Sequence, residues 1–284
     1  MDKQMKPRSM AILITGVSSG IGYGTTKEFI DRNYTIFGSV RKQDDAQRLR
    51  KEFGEKFIPL VFDVTDQASI NKAAEEVKTH LKGNGLGGLI NNSGISVAGP
   101  VEHLSIDSVE YNFNVNVLGI FRVTKTFLPL LGTQKDHPVL PGRILNISSI
   151  SGKIPAPFLS SYTGTKYAVE GISHCLRMEL LPYGIDVVII GPGQVQTPIW
   201  DKGSLDEFKD TQYSSSMIKF FTFLVNKGKT GMDLGECSRR IANIFETERP
   251  KTRYSIVQNK FQDWIMPLMI PDRVMDRIIL KKLM

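Results

Sequence analysis

The sequence predicts a doubly wound α/β fold, a parallel sheet of about seven strands flanked by helices in a single domain. Three observations predict it. Short β-branched apolar runs alternate with longer segments of 3.6-residue periodicity. Hydrophobic residues make up 41% of the chain, with 15 Phe, 8 Tyr and 2 Trp, enough to fill a large core. No internal repeat, low-complexity tract or linker divides the 284 residues, so one domain over 1–284 is expected.

The elements follow in order. An apolar strand, Met10–Thr15, runs through a glycine-containing turn into a helix over Ile21–Arg32, with Asn33 just past its end. Strand Thr35–Val40, helix Asp45–Phe53 and strand Phe57–Phe62 come next. Asp66 can cap a helix over Gln67–Leu81. Strand Gly88–Ile90 precedes a long helix, Ile106–Leu131, with Ser105 as its N-cap. Strand Arg143–Ile147, helix Ser161–Leu181 with Gly184 beyond it, and strand Asp186–Ile190 continue the alternation. Helix Gly235–Glu246 and strand Tyr254–Val257 close it. Two regions break the pattern. Pro192 to Asp233 is long, aromatic and irregular, and Asn259 to Met284 holds Trp264, Pro267 and Pro271 before a short basic amphipathic tail.

Composition narrows the function. The 36 Lys+Arg against 29 Asp+Glu give a net charge of +7 that is spread along the chain rather than gathered in an arm, which argues against nucleic acid. Two cysteines, Cys175 and Cys237, make no disulfide framework, and four scattered histidines offer no metal-ligand spacing, so no metal is expected. The N-terminus lacks the apolar segment of a signal peptide, and no apolar run approaches the roughly 18 residues of a membrane span. A soluble, cytoplasmic protein is expected.

The turn after the first strand reads Thr15-Gly16-Val17-Ser18-Ser19-Gly20-Ile21-Gly22. Glycines there let the backbone turn tightly and approach a pyrophosphate, and the following helix N-terminus offers unpaired N–H groups. Strand, glycines and helix come in the order a dinucleotide site needs, so Gly16, Ser18, Ser19, Gly20, Ile21 and Gly22 are candidate cofactor contacts. At the end of the second strand an acidic residue would accept the ribose 2′-OH, whereas a cation suits a 2′-phosphate. The chain reads Ser39-Val40-Arg41-Lys42, so Arg41 points to NADP(H) over NAD(H), the alternative being a solvated strand-end charge.

Tyr162-Thr163-Gly164-Thr165-Lys166 places a phenol and an ammonium on one helical face. A nearby cation favours the phenolate and is expected to lower the tyrosine pKa, as acid–base work near neutrality requires. The chain holds a second copy, Tyr23-x3-Lys27, inside the first helix and without a serine cluster shortly upstream, which reads as structural. Before the Tyr162 copy, Ser149 closes a strand and can face the phenol across a cleft at the carboxyl edge of the sheet. Ser148 competes for that role, and strand alternation points the two serines to opposite faces.

These motifs, with Asp63-Val64, Asn91-Asn92-Ser93-Gly94, Asn114-Val115-Asn116-Val117-x-Gly119 and Pro192-Gly193-x3-Thr197, resemble those of the short-chain dehydrogenases/reductases over about residues 10 to 198. The resemblance implies a Rossmann-type fold and an NAD(P)-dependent alcohol dehydrogenase or carbonyl reductase. It implies Tyr162 as acid/base, Ser149 on the substrate oxygen, and Lys166 on the nicotinamide ribose. Asn116 would hold a water relaying protons to Lys166. Asp63 and Val64 would flank the adenine, and Asn91, Ser93 and Gly94 would lie along the cofactor. Pro192, Gly193, Val195 and Thr197 would meet its nicotinamide end. Ser93 stands where the family usually has Ala, which bears on one local cofactor contact.

The same resemblance places a substrate loop at about 192–233, which carries Ile199, Trp200, Phe208, Tyr213, Met217, Phe220, Phe221, Phe223 and Leu224. Ile95 to Pro100 and Ile150 to Phe158 would form the other walls. Such a lining suits a lipophilic alcohol or ketone, as in the similar retinol and hydroxysteroid dehydrogenase groups, although Phe220, Phe221 and Leu224 could equally pack a helix onto the core. The C-terminal extension, about 259–284, is expected to dock on its own domain or a partner subunit rather than a membrane. A homodimer or homotetramer is expected. Two other readings stand beside the reductase: an epimerase or dehydratase on the same fold, for which the chain after Thr197 is short, and a non-catalytic dinucleotide sensor, which would typically lose Tyr162 or Lys166.

Overall fold

A computed structural model describes residues 9–134, 137–197 and 206–283. Seven strands form one sheet: β1 (Ala11–Ile14), β2 (Thr35–Val40), β3 (Phe57–Val61), β4 (Gly88–Asn91), β5 (Arg143–Ile147), β6 (Asp186–Pro192) and β7 (Arg253–Ile256). All pairings are parallel, in the order β3-β2-β1-β4-β5-β6-β7. The chain winds outward from β1 to β3, then returns to lay β4 on the other side of β1. A crevice opens at the carboxyl ends of the strands where the direction of winding reverses.

Side chains of β1 divide between two cores. Ile12 and Ile14 join Phe29 of α1 (Gly20–Asp31), Leu49 of α2 (Gln43–Phe53) and Phe245 of α8 (Leu234–Glu246) on one face. Ala11 and Leu13 join Val77 of α3 (Gln67–Leu81), Phe127 of α5 (Gly119–Leu128) and Leu180 of α6 (Ser160–Leu180) on the other. Alternate residues of one strand thus feed two layers, as a sheet covered on both sides requires. The expected caps are present: Asp66 accepts from the Ala68 N–H at 2.9 Å and Ser105 from the Ser108 N–H at 3.2 Å. Asn33 (φ 74°) and Gly184 (φ 71°) are left-handed beyond their helices.

The expected single helix Ile106–Leu131 is divided. It runs as α4 (Ile106–Phe113), a π-helical turn over Asn114–Leu118, α5, and a second π-helical turn over Pro129–Thr133. Two asparagine side chains explain the first turn. Asn112 and Asn116 both donate to the Ile95 carbonyl, at 3.0 and 2.9 Å, and draw the helix onto the loop after β4. By length and composition this run is long and apolar enough to cross a membrane, contrary to the expectation that no segment is. In the fold, Val123, Phe127 and Leu131 on it are buried in the core.

The stretch expected to be irregular contains α7 (Ser214–Lys229). Met217, Phe220, Phe221 and Leu224 stand at helical spacing within it, a period hidden by the surrounding aromatics. After β7 come α9 (Met266–Met269) and α10 (Asp272–Leu283). The latter docks on α7: Ser216 Oγ donates to the Leu283 carbonyl at 3.3 Å, and the Lys282 ammonium lies 5.9 Å from the centre of the Phe223 ring. Ile199 and Trp200 lie outside the described residues.

Candidate active site

The turn between β1 and α1 is shaped by glycine and fastened from two sides, by β2 and by the segment after β4. Gly16 (φ 70°) and Gly20 (φ 61°) take up left-handed backbone, and a Cβ on Gly22 would collide with the Gly16 carbonyl. Ser39 Oγ accepts from the Gly16 N–H at 3.0 Å. Thr15 Oγ1 accepts from the N–H groups of Asn92 and Ser93, both at 2.9 Å, and Asn92 Nδ2 returns bonds to the carbonyls of Thr15 and Gly16 at 2.8 and 3.0 Å. The turn is therefore held before any ligand arrives, with the N-terminus of the twelve-residue α1 facing the crevice.

One cleft of about 950 Å³ runs along the carboxyl edge of the sheet. Gly16, Ser18, Ser19, Gly20 and Ile21 floor its first arm, with Arg41, Asp63 and Val64 along one flank. Ser93, Gly94, Pro192, Gly193, Val195 and Thr197 line the middle, where Ser149, Tyr162 and Lys166 converge. The long glycine-floored arm, with a free helix N-terminus at one end and a cation beyond β2, matches the shape and charge of a dinucleotide.

Three expected residues are placed differently. Gly22 does not line the cleft; its lack of a side chain serves the close packing of α1 under the turn. Asn91, the last residue of β4, points into the core rather than along the cleft, donating to Thr124 Oγ1 at 3.0 Å and Asn146 Oδ1 at 2.8 Å. Its neighbour Asn92 lines the cleft instead, one residue on along the same strand edge. Asn116 also stands behind the wall: Oδ1 accepts from the Ile95 N–H at 2.8 Å, while Nδ2 donates to the Ile95 carbonyl and to Thr165 Oγ1. Both amide hydrogens are spent on protein, so the side chain holds the Ile95 loop against α6.

The reacting groups sit where α6 passes the end of β5. The Ser149 hydroxyl stands by the Tyr162 phenol on the cleft and accepts from the Ser151 N–H at 3.1 Å. Lys166 is only 5% exposed; its ammonium donates to the Ile147 carbonyl at 2.9 Å and lies 5.6 Å from the centre of the Tyr162 ring. Burial raises the Tyr162 phenol above its ordinary value, and the nearby Ser149 hydroxyl opposes that. The shift is thus opposite in direction to the expected lowering: withdrawing the phenolate from water dominates over the opposing Ser149 hydroxyl. Burial brings Lys166 down to about 8 against the pull of the Glu170 carboxylate. Ser148 also borders the cleft, but its hydroxyl donates back to the Lys166 carbonyl at 3.5 Å, leaving Ser149 as the serine on the phenol.

The second arm is largely apolar, with Ser96, His103 and Glu207 also on the cleft lining. Ile95, Val97, Leu104, Ile154 and Leu159 face Phe208 and, from α7, Phe220, Phe221, Phe223 and Leu224. Helix α7 is therefore a wall of the cleft as well as a packed helix. Met217 is buried away from it, and Tyr213 packs edge-on to His103 at 5.7 Å. Tyr23, in the second Tyr-x3-Lys copy, donates to Glu52 outside the cleft. Sequence reading missed Asn92, although its motif contained it; it expected Phe220, Phe221, Phe223 and Leu224 in the substrate wall, but in an irregular loop rather than on a regular helix.

The profile of the family described as short chain dehydrogenase matches residues 10–207. The chain belongs to the short-chain dehydrogenase/reductase family and is an NAD(P)-dependent oxidoreductase. It is similar to an NADPH-dependent 3-dehydrocapnine reductase of Ornithobacterium rhinotracheale, 35% identical over 95% of this chain and 96% of that one. It is also 35% identical to the mitochondrial D-beta-hydroxybutyrate dehydrogenase of Mus musculus, over 86% of this chain and 76% of that one. Its fold is shared with a short-chain dehydrogenase from Streptomyces avermitilis (TM-score 0.76, 24% identity, 99% of this chain and 96% of that one).

Proposed function

We propose that the protein is an NADP(H)-dependent reductase/dehydrogenase that interconverts a carbonyl and an alcohol on a lipophilic small molecule. The observation that carries this reading is the convergence of Ser149, Tyr162 and Lys166 at the junction of a glycine-floored arm and an apolar arm of one cleft. Gly16, Ser18, Ser19, Gly20, Ile21 and Thr197 would hold a nicotinamide cofactor, which when bound would provide the hydride chemistry. In reduction, Tyr162 donates its proton to the substrate oxygen. Its raised pKa keeps that proton in place at neutral pH. Ser149 hydrogen-bonds the same oxygen and stabilises the charge developing on it. Lys166, anchored on the Ile147 carbonyl, keeps a positive charge beside the phenolate left behind. Asn116 holds the Ile95 loop and α6 in register.

Arg41 and the relative named as NADPH-dependent support NADP(H). The apolar arm supports a lipophilic substrate, and a relative named for a 3-dehydro compound supports a ketone. Exposed apolar side chains on neighbouring elements, Phe113, Leu118, Phe121 and Met178, support assembly into a homodimer or homotetramer. The test is a panel of ketones and alcohols of increasing apolar length, assayed with NADPH and NADP⁺ by nicotinamide absorbance. Turnover should rise with apolar length. Turnover confined to small polar carbonyls would overturn the substrate class.

A further inference from the structure

Glu170 follows Lys166 by four residues on α6 and is 2% exposed. A carboxylate buried this deeply requires partners. Its Oε2 accepts from Arg253 Nε at 2.8 Å, and the Lys153 ammonium stands 4.0 Å away on the outer side. Its Oε1 has no hydrogen-bond partner among the described residues. Arg253, the first residue of β7, is fixed on two further sides: Nη2 donates to the Ser149 carbonyl at 3.4 Å, and the guanidinium lies 4.1 Å from the centre of the Trp264 ring. Two glycines make room for the pair. A Cβ on Gly191 would fall 2.6 Å from Arg253 Nη2, and one on Gly152 would fall 2.9 Å from Glu170 Cγ. Neither Glu170 nor Arg253 lines the cleft.

We propose that Glu170 and Arg253 are positioning residues of the acid–base centre: the ion pair seats the turn that carries Ser149 and sets the charge that Lys166 faces from behind. The proposal rests on Tyr162 and Lys166 being the acid–base pair. The charged and titratable groups in this cluster are Tyr162 and Glu170, which flank Lys166 on its own helix, and Lys153 from the turn after β5 and Arg253 from β7, which stand on the Glu170 carboxylate. The signs follow from Coulomb's law. The Glu170 carboxylate favours the ammonium and opposes the burial that lowers it. Glu170→Gln removes that support, so Lys166 loses its proton at a lower pH. Arg253→Gln leaves the carboxylate unneutralised, so Lys166 holds its proton to a higher pH.

The pH dependence of kcat/KM for ketone reduction, in the full-length protein, reads this directly. The basic limb should move down by about one pH unit in Glu170→Gln and up by a similar amount in Arg253→Gln. Arg253→Lys, which keeps the charge, should restore the limb towards wild type. Loss of structural support alone would lower activity in both variants without moving the limbs apart. Titration of the Lys166 ε-carbon by ¹³C NMR should show the same opposite shifts. If Glu170→Gln does not fold, Glu170→Asp, which withdraws the carboxylate by one methylene, should move the limb partway down. Limbs that stay still, or move the same way, overturn the proposal. Should Tyr162→Phe keep its turnover, the catalytic reading fails instead, and the NMR titration still reports on the ion pair.

Discussion

The chain contains the Tyr-x3-Lys spacing twice, and the two copies differ in everything except spacing. In α1, Lys27 is exposed and Tyr23 packs against Phe53, with its hydroxyl donating to Glu52 on α2. That bond, more than burial, raises the Tyr23 phenol. In α6, Lys166 is buried and anchored on the Ile147 carbonyl, and burial is what raises Tyr162, against a serine hydroxyl that pulls the other way. Helical geometry places both pairs on one face. Only the α6 pair meets a serine, a cleft and the carboxyl edge of the sheet. The spacing is therefore a test for a shared face, while chemistry depends on what that face is turned toward.

The largest effect is expected from Tyr162→Phe, which removes the proton donor: turnover should fall by about 10²–10⁴, with cofactor affinity nearly unchanged. Ser149→Ala removes a donor to the developing oxyanion and should cost about 10²–10³ in kcat. Steady-state assays with the best ketone of the panel check both.

Arg41→Ala sharpens the cofactor side. A guanidinium paired with a 2′-phosphate contributes about 1.5–3 kcal/mol, so NADPH should bind roughly tenfold to a hundredfold tighter than NADH. The substitution should erase most of that preference and leave NADH binding unchanged, and added salt should weaken NADPH more than NADH. Fluorescence titration of both cofactors decides it. Equal binding of the two in the wild type would make Arg41 a solvated strand-end charge.

The pH profile separates the two directions of reaction. Reduction needs the protonated phenol, which a raised pKa preserves, so its rate should hold through neutrality and decline as Lys166 loses its proton near 8. Alcohol oxidation needs the phenolate and should climb by up to about tenfold per pH unit across the same range. A reductive rate that rose with pH would contradict the assignment. The smallest effect belongs to Tyr23→Phe, which removes a bond at an exposed site and should change stability by no more than about 1 kcal/mol in a denaturant melt.

Much of the fold was legible because continuous apolar runs and 3.6-residue periods alternate so regularly; the candidate strands Thr35–Val40 and Arg143–Ile147 coincide with β2 and β5. The first π-helical turn was not legible, since it arises where Asn112 and Asn116 reach a carbonyl in a different loop. Helix α7 was hidden because aromatic residues beyond its buried face, such as the exposed Phe223, blur the period. At the site, the Tyr162–Lys166 pair could be read from its spacing and from the serines that close the preceding strand, while the choice of Ser149 over Ser148 came from the family resemblance. The inward turn of Asn91 could not, because it answers to Thr124 and Asn146 on two other elements. The direction of the Tyr162 shift depends on how far water is excluded, which is a property of the packed cleft.

The most direct test of the contrast between the two copies is a single-turnover experiment on the wild type, Tyr162→Phe and Tyr23→Phe, each loaded with NADPH and mixed with the same lipophilic ketone. Nicotinamide absorbance follows hydride transfer, and fluorescence confirms cofactor loading. The account predicts equal loading in all three proteins, wild-type transfer in Tyr23→Phe and a rate lower by two orders of magnitude or more in Tyr162→Phe. Comparable transfer in Tyr162→Phe, or a matching loss in Tyr23→Phe, would contradict it.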